Sequence, residues 1–592
     1  MNAVAVAKPR SVVVRLVRVE ADARALVLAF AVVAALTVVT WMTWGDLGRD
    51  TGYDFVAATR VAHGQLPYVD YVYYYGPLAP FLLGFAALLG GGGILTFAIV
   101  GLVLAYAIVA ATYALARTQT GPTGAAIAAI ATAAIAFSPT NLSYVIPHSY
   151  SESLAILLAL LFLLGLSAAP TRPAGAWLAG VSAGLVSLTR PEFELAVAAA
   201  GVVWLVARAR SGRGSRREVV ALVAPAALVP AVAYGAFLAF ISPHRLFFEN
   251  LYPVDALRAG GSTILHAQAP LTVRSIAVVI GYLALYAVGV GALFFAGRLL
   301  GRLPAPVAVS LIGLSAVLVL AVAAVRPEAA RSRLEWVFGG LPLAALLGAL
   351  FLIWRHVVRR RPLAGREATL LASVVLLAVV AAKSYDGFFL LASRAQPAVY
   401  LAPFVFVALA RLHLVDLGRT RTTLLAGVAW LGVLALVCIG LTVKDARAQS
   451  ATVSGPGGSL RVSPAEAPLY RAAIGAIESG SRPGDMILIA PQLTSLYALS
   501  GRVDPLPEIS LVPGALAAPG AEREAIATLQ RDDVRLALTD RHTFPEYGQT
   551  SFGKSFDTGL AAWIRAHFRH VATLRPLAGV GHTIDVWVRR AS

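Results

Sequence analysis

The sequence predicts an α-helical polytopic membrane protein with a small C-terminal α/β domain outside the membrane. Hydrophobic residues make up 58% of the 592 positions and charged residues only 14%, whereas a soluble chain carries about a quarter charged residues. Apolar runs near the length that crosses a bilayer recur through most of the chain, so we expect about thirteen transmembrane helices. Beyond residue 442 this pattern gives way to the mixed polar and apolar segments of a folded α/β domain.

Basic loops set the expected orientation of the crossings. Arg and Lys cluster in 1–24, 208–217, 355–361 and 411–421, and such clusters face the cytoplasm. The N-terminal segment 1–24 is therefore expected in the cytoplasm, ahead of an uncleaved anchor. The formal charge of +18 is explained by these loops, and nucleic acid is not an expected partner. The predicted crossings are 25–44, 94–116, 123–138, 152–168, 174–189, 192–208, 218–241, 273–297, 304–324, 336–354, 367–382, 397–411 and 422–441.

An odd number of crossings places the C-terminal part of this plasma-membrane protein outside the cytoplasm. Residues 442–466, which contain Gly-Pro-Gly-Gly and Ser, predict a linker, and residues 467–592 predict the extracytoplasmic α/β domain. Strands are expected at 486–490, 534–539 and 583–588, and helices at 495–499, 522–530 and 561–570.

The segment that joins the first two crossings, residues 45–93, is the most unusual of the chain, and we call it the first loop. A loop of this length without a regular element is usually functional or disordered, and its aromatic content argues against disorder. The apolar run 78–89 within it is too short for a comfortable crossing and predicts a re-entrant or interfacial helix. Its polar and aromatic features are Asp46, Asp50, Asp54, Asp70, the cluster 68–75 and Gly76-Pro77.

The first loop resembles that of the GT-C superfamily, the polytopic glycosyltransferases that use polyprenyl-phosphate sugars. Protein O-mannosyltransferases and lipid A aminoarabinose transferases belong to it. Their loop carries an Asp soon after the first span, a helical segment, a PY-x-D element and a K-P-P-L-like turn. The matching positions here are Asp50, Ala57 or Ala58, Gly64, Pro67-Tyr68, Asp70 and Gly76-Pro77-Leu78. Tyr75 stands where the family has the lysine of the turn.

The resemblance implies a transmembrane glycosyltransferase domain at 25–441. The implied reaction is inverting transfer of a hexosyl or pentosyl unit from a polyprenyl-phosphate donor to a lipid, glycan or protein hydroxyl on the outer face. By position, Asp50 would be the base that accepts the proton of the acceptor, and Asp54, one helical turn later, would share that role or position the acceptor. The alternative is that Asp50 caps the helix that starts near Thr51.

Seven further residues are candidates for substrate binding. Arginine suits a phosphate because it donates two parallel hydrogen bonds, and cations at the outer edges of spans are unusual under the positive-inside rule. The competing interpretations are ion pairs with nearby carboxylates for the cations, a turn for Asp70, an interfacial aromatic belt for Tyr75 and a helix-capping acid for Glu152. The candidates are Asp70, Tyr75, His148, Glu152, Arg190, Lys383 and Arg394.

The sequence predicts no cofactor and no metal. Asp50 and Asp54 could share a cation, but no third carboxylate converges on them in the sequence, and the single cysteine, Cys438, lies in a predicted span. The rival functions are a transporter or flippase of polyprenyl-linked intermediates and an inactive, binding-only relative. A transporter usually has interrupted helices in two repeated halves, and the sequence shows no such repeat. High Ala, Val and Arg usage is typical of a bacterial chain from a GC-rich genome.

Overall fold

The computed structural model describes most of the chain. The described residues are 10–43, 47, 50–137, 146–251, 301–339, 365–382, 400–408, 421–544, 550–576 and 582–590, with single positions between 273 and 300 and between 347 and 363. The N-terminal three quarters of this part is helical, and strands of any length occur only beyond residue 450 of it.

Helices account for the membrane part of the chain. Within the described part of the chain, six helices are long and apolar enough to cross a bilayer: 22–40, 94–119, 150–168, 216–237, 305–325 and 429–448. The chain is thus a multi-pass membrane protein with a small C-terminal α/β domain. The total of about thirteen crossings stays a prediction, because the crossings at 273–297, 336–354 and 397–411 extend outside the described residues. The helices are α1 Arg10–Thr40, α2 Asp50–Ala62, α3 Leu78–Gly90, α4 Ile94–Gln119, α5 Pro122–Ala136, α6 Tyr150–Ala168, α7 Pro173–Val186, α8 Pro191–Arg210, α9 Arg216–Phe237, α10 Ala305–Val325, α11 Pro327–Gly339, α12 Gly365–Ala382 and α13 Arg421–Ala448.

The starts of these helices follow from local sequence. Proline occupies the first turn of α5, α7 and α8, where its missing N–H and fixed φ are no disadvantage. Helix α9 begins with a capping box, in which the Ser215 hydroxyl accepts from the Glu218 N–H and the Glu218 carboxylate accepts from the Ser215 N–H. These signals set where α8 and α9 begin, and α8 carries a candidate site residue at its N-cap.

The C-terminal domain is built on a four-stranded sheet with the order β3-β4-β8-β7. Strands β3 and β4 are parallel, and the other pairs are antiparallel. A hairpin of β1 and β2 precedes this sheet, and β5 pairs with β6 beside it. The elements are β1 Ala451–Gly455, β2 Gly458–Val462, α14 Ala467–Gly480, β3 Leu488–Ala490, α15 Ser495–Ser500, α16 Ala521–Arg531, β4 Leu536–Asp540, β5 Thr543–Phe544, β6 Thr550–Ser551, α17 Thr558–His567, β7 Phe568–Leu574 and β8 Ile584–Arg589.

Three predicted strands of this domain are confirmed as β3, β4 and β8. Two predictions were wrong in part. The stretch 442–466, expected as a linker, contains the end of α13 and the β1–β2 hairpin, in which Gly455 and Gly458 face each other at the turn. The helix expected at 561–570 ends at His567, and Phe568 begins β7, because these residues pair with β8, with one irregularity between His570 and Ala572.

The C-terminal part of the chain is joined to the first loop and to the start of α4 by backbone hydrogen bonds. The Val72 N–H donates to the Pro507 carbonyl at 3.0 Å, and the Ile94 N–H donates to the Gly457 carbonyl at 2.9 Å. One large cluster of buried apolar side chains runs from the membrane helices through α2 into α14 and α15. The first loop is therefore packed between the membrane helices and the C-terminal domain.

Candidate active site

Helix α2 carries the two carboxylates expected to do chemistry. Asp50 is its first residue, and Asp54 follows one turn later. The structure confirms a helix beginning at this point, while the side chain of Asp50 lies outside the described residues. The Asp54 side chain is described and is almost completely buried.

The Asp54 carboxylate connects α2 to the start of α6. Its Oδ2 accepts a hydrogen bond from the Tyr150 N–H at 2.8 Å, and its Oδ1 accepts one from the Tyr73 hydroxyl at 2.9 Å. Tyr150 is the first residue of α6, and the N–H groups of a first turn lack partners inside the helix and carry partial positive charge. A carboxylate at this position satisfies such a group and is stabilised by it.

Tyr73 remains a hydrogen-bond donor in this arrangement. Burial raises the pKa of its hydroxyl well above the ordinary value, and the neighbouring Asp54 carboxylate raises it further. The Asn250 side-chain carbonyl accepts from the Tyr73 N–H at 3.0 Å, so the backbone here is also fixed. The position of the Asp54 carboxylate is thus determined by two rigid donors.

The turn at Gly76-Pro77 places the next aromatic residue. The Gly76 N–H donates to the Thr189 carbonyl at 2.6 Å, and a Cβ at residue 76 would come within 2.1 Å of the Leu188 carbonyl carbon. Only glycine permits this approach. The turn therefore lies against the residues just before Arg190, and Tyr75 reaches the Arg190 side chain.

Arg190 is held by several groups at once. It is the N-cap of α8, extended because Pro191 follows it, and its side chain is largely buried. Its guanidinium carbon lies 4.4 Å from the centre of the Tyr75 ring, and its Nη1 lies 3.6 Å from the Glu152 carboxylate and 3.3 Å from that of Glu192. The guanidinium is therefore oriented before any ligand binds, although its charge is shared between two carboxylates.

These contacts close into a ring. From Asp54 it passes through Tyr73 to Tyr75, whose rings are 5.8 Å apart, then to Arg190, and from Arg190 Nε to the Ser151 hydroxyl at 3.2 Å. Ser151 adjoins Tyr150, which donates to Asp54. We call this group, with Glu152, the Asp54–Arg190 cluster. It joins the first loop, the start of α6 and the start of α8.

The structure thus brings four of the nine predicted site residues together, and Asp50 starts the same helix as one of them. The four residues brought together are Asp54, Tyr75, Glu152 and Arg190.

Asp70 lies in a turn of the first loop, and His148 lies just before α6. The Asp70 carboxylate is exposed and accepts from the Leu66 N–H at 2.7 Å, within a turn. His148 is half-buried just before α6, where its carbonyl lies 3.5 Å from the Thr51 hydroxyl. Lys383 and Arg394 lie outside the described residues.

Sequence reasoning included Tyr73 only within the aromatic cluster 68–75, and it missed Tyr150 and Ser151. The pattern of aromatics at 71, 73 and 75 was the available signal for Tyr73, since alternate residues of an extended segment point to the same side. Neither Tyr150 nor Ser151 could be found in this way, because their roles depend on where α2 and α8 meet the start of α6.

The fold and the cluster define a class: a multi-pass membrane protein with a buried, preorganised charged site beneath an α/β domain. No protein-family model matches the sequence, and no curated protein matches it.

Solved structures of similar chain trace do exist. The oligosaccharyltransferase of Archaeoglobus fulgidus in the apo form is 16% identical over 93% of this chain and 80% of its own, with a TM-score of 0.49. A second structure is the archaeal oligosaccharyltransferase AglB from Archaeoglobus fulgidus in complex with an inhibitory peptide and a dolichol-phosphate. It is 17% identical over 95% of this chain and 74% of its own, with a TM-score of 0.47. ArnT from Cupriavidus metallidurans bound to undecaprenyl phosphate is 16% identical over 96% of this chain and 98% of its own, with a TM-score of 0.43.

One of these structures holds a dolichol-phosphate and another undecaprenyl phosphate. The roles proposed below for residues of this chain are argued from the contacts that these residues make.

Proposed function

We propose that this protein is a membrane glycosyltransferase that moves a monosaccharide from a polyprenyl-phosphate donor to a hydroxyl of a lipid, glycan or protein. The reaction takes place on the outer face of the membrane, with the N-terminus in the cytoplasm and the C-terminal domain outside. The observation that carries the proposal is the Asp54–Arg190 cluster. It combines, at one buried place, the Asp54 carboxylate of the first loop and the Arg190 guanidinium at the start of α8.

Arg190 compensates for the one departure of the first loop from the GT-C pattern. The family has a lysine in the turn where this chain has Tyr75. Here the guanidinium of Arg190 lies over the Tyr75 ring, which is attractive because the ring face is electron-rich. A positive charge thus stands beside the turn although the turn itself has lost its cation. In our proposal Arg190 takes the role of stabilising the departing phosphate, with Lys383 and Arg394 as further cations.

The two carboxylates of α2 have different roles in this proposal. Both oxygens of Asp54 already accept hydrogen bonds from Tyr73 and Tyr150, which favours a positioning role. Asp50, one turn earlier in the same helix, is the base. The acceptor oxygen forms a bond to the anomeric carbon, its proton passes to the Asp50 carboxylate, and the polyprenyl phosphate leaves with the electrons of the broken bond. A single displacement of this kind inverts the anomeric centre.

The experiment is sugar transfer by purified protein in nanodiscs supplied with radiolabelled polyprenyl-phosphate sugars and membrane extract as the acceptor source. Asp50→Asn keeps the size of the side chain but cannot accept the proton, so we expect the rate to fall about 10²–10⁴-fold. Arg190→Lys keeps the charge but loses the planar donor pair, and a fall of about 10-fold or more is expected. Glu478→Gln, on the exposed face of α14, is the matched control and should be fully active.

Equal rates for wild type and Asp50→Asn would remove Asp50 from the reaction. Lipid-linked sugar that crosses liposomes with no new glycosidic bond would instead support a carrier.

A further inference from the structure

Two histidines and an aspartate meet in the C-terminal domain, far along the chain from the first loop. The Nδ1 of His582 lies 2.5 Å from Oδ2 of Asp540, and the ligand atoms of Asp540, His542 and His582 all lie within 4.8 Å of one another. The two imidazole rings are 5.3 Å apart. We propose that these three residues bind a divalent transition-metal ion of the zinc type, and we call them the His542–His582 site.

The sheet brings these residues together. Asp540 is the last residue of β4 and pairs with Ile584, the first residue of β8. His542 follows β4 by two residues, and His582 precedes β8 by two. The Arg541 N–H donates to the Thr583 carbonyl at 2.9 Å, so the ladder continues beyond the strand ends and holds both histidine segments side by side. Three potential ligands on two neighbouring backbone segments form a rigid support for an ion.

The chemistry of the three side chains selects the ion. Imidazole nitrogen and carboxylate oxygen bind Zn²⁺ at about 2.0–2.2 Å in a tetrahedral arrangement. Two imidazoles exclude Mg²⁺ and Ca²⁺ as preferred ions, because those ions take oxygen ligands almost exclusively. Three protein ligands leave a fourth position of the tetrahedron for water or an anion.

The competing interpretation is a plain hydrogen bond between His582 and Asp540. Oδ1 of Asp540 accepts from the His542 N–H at 3.2 Å, which is a turn contact independent of Oδ2. Oδ2 then faces Nδ1 of His582 with one proton between them. A metal ion would take the place of that proton and bind both atoms, while a ring nitrogen of His542 would supply the third ligand. The Asp540 side chain is fully buried and that of His582 is only 17% exposed, so water competes weakly for the ion.

A pocket of about 190 Å³ borders Asp540 and is lined by the cations Arg541, Lys554 and Arg565. Asp585 also lines this pocket and is paired with Arg541 at 2.6 Å. The His542–His582 site lies in a different domain from the Asp54–Arg190 cluster. The proposal that it binds a metal ion is therefore independent of the proposed sugar transfer.

The test is zinc content of the full-length protein, purified without a histidine tag in nanodiscs, stripped with chelator and then dialysed against micromolar zinc. Elemental analysis should give about one zinc per chain for wild type. His582→Gln and His542→Gln should each reduce this several-fold. His570→Gln is the matched control, because His570 lies on β7 and contacts Asp585 at 3.2 Å outside the site; it should retain the ion.

A second readout covers the case in which a variant folds poorly. Cobalt loaded into the wild-type protein should show the intense visible absorption of a tetrahedral ion, and zinc should displace it whereas excess magnesium should not. The proposal is overturned if wild type takes up no more zinc than the double variant His542→Gln/His582→Gln. It is also overturned if His570→Gln loses the ion to the same extent as His582→Gln.

Discussion

Arg60 connects the first loop to the C-terminal domain through a buried charge. It lies in the last turn of α2, and its Nη2 donates to the Asp504 carbonyl at 2.9 Å and to the Leu506 carbonyl. The same nitrogen lies 3.5 Å from the Asp504 carboxylate, with side-chain exposures of 8% and 3% for the two residues. The guanidinium also lies 5.4 Å from the centre of the Tyr71 ring. We call Arg60 and Asp504 the Arg60–Asp504 pair.

Replacing Arg60 by Met keeps the apolar stem and removes the charge. The Asp504 Oδ2 atom and two carbonyls then lose Arg60 in a buried interface, while Oδ1 still accepts from the Leu506 N–H at 3.1 Å. Breaking one side of a buried ion pair costs about 3–5 kcal/mol, which corresponds to about a 10²–10⁴-fold larger population of the opened interface. We therefore expect Arg60→Met to loosen the β3–α15 region of the C-terminal domain while the membrane helices stay folded.

The penalty should depend on pH with a definite sign. Burial raises the pKa of Asp504 to about 6 from 3.8, and Arg60 opposes this rise. Because the folded pKa lies above the unfolded one, the folded domain binds more protons between about pH 4 and pH 6. Its free energy of unfolding therefore falls as pH rises through this window and is level above it. Near pH 5 Asp504 is mostly protonated, so removing Arg60 should cost less there than at pH 8.

The measurement is hydrogen exchange by mass spectrometry on amides of residues 486–506, in nanodiscs, with opening free energies obtained at pH 5 and pH 8. Arg471→Met is the control, since Arg471 is exposed and donates to the Thr452 carbonyl; its effect should stay within about 0.5 kcal/mol. In the double variant with Asp504→Asn, part of the loss should be recovered, because the uncompensated charge is gone. The reasoning is refuted if Arg60→Met matches wild type at pH 8, or if its penalty is the same at both pH values.

Two further predictions concern the same region. Gly52→Ala would bring a Cβ within 2.2 Å of the Ser495 backbone nitrogen, whereas at Gly92 the nearest atom to such a Cβ is 3.6 Å away. Gly52→Ala should therefore separate α2 from α15 and raise protease cleavage of the C-terminal domain, while Gly92→Ala should match wild type. Equal cleavage of the two variants would contradict this prediction. Burial and nearby carboxylates raise the pKa of Asp557 to about 7 from 3.8, so the free energy of unfolding should fall between about pH 4 and pH 7 as pH rises. Asp557→Asn removes that charge and tolerates the φ of +49°, so we expect about 1–3 kcal/mol of stabilisation at pH 8 and a flatter pH profile by thermal unfolding; an unchanged slope would contradict it.

The sequence by itself determined the class of the protein and the start of its site. Apolar runs of bilayer length can lower their free energy only by leaving water, so composition and run length predicted a polytopic helical protein without any tertiary information. Local signals were also sufficient for α2, which begins at Asp50, one residue before the expected start near Thr51. They were sufficient too for β3, β4 and β8, whose apolar runs between turn residues allow few alternatives. Asp54, Tyr75, Glu152 and Arg190 were each recognised as unusual residues in their segments.

Only the tertiary structure decided how these residues combine. Tyr75 meets Arg190 because the Gly76 turn fits against Leu188 and Thr189, a contact between segments more than a hundred residues apart. The strand β7 was missed because its backbone partners belong to β8, and a local pattern cannot count hydrogen bonds to a distant strand. Likewise, Asp540 and His582 are brought together by strand register alone. Spacing in a sequence constrains residues on one helix or strand, whereas ion pairs and ligand sets between elements depend on packing that no short window of sequence contains.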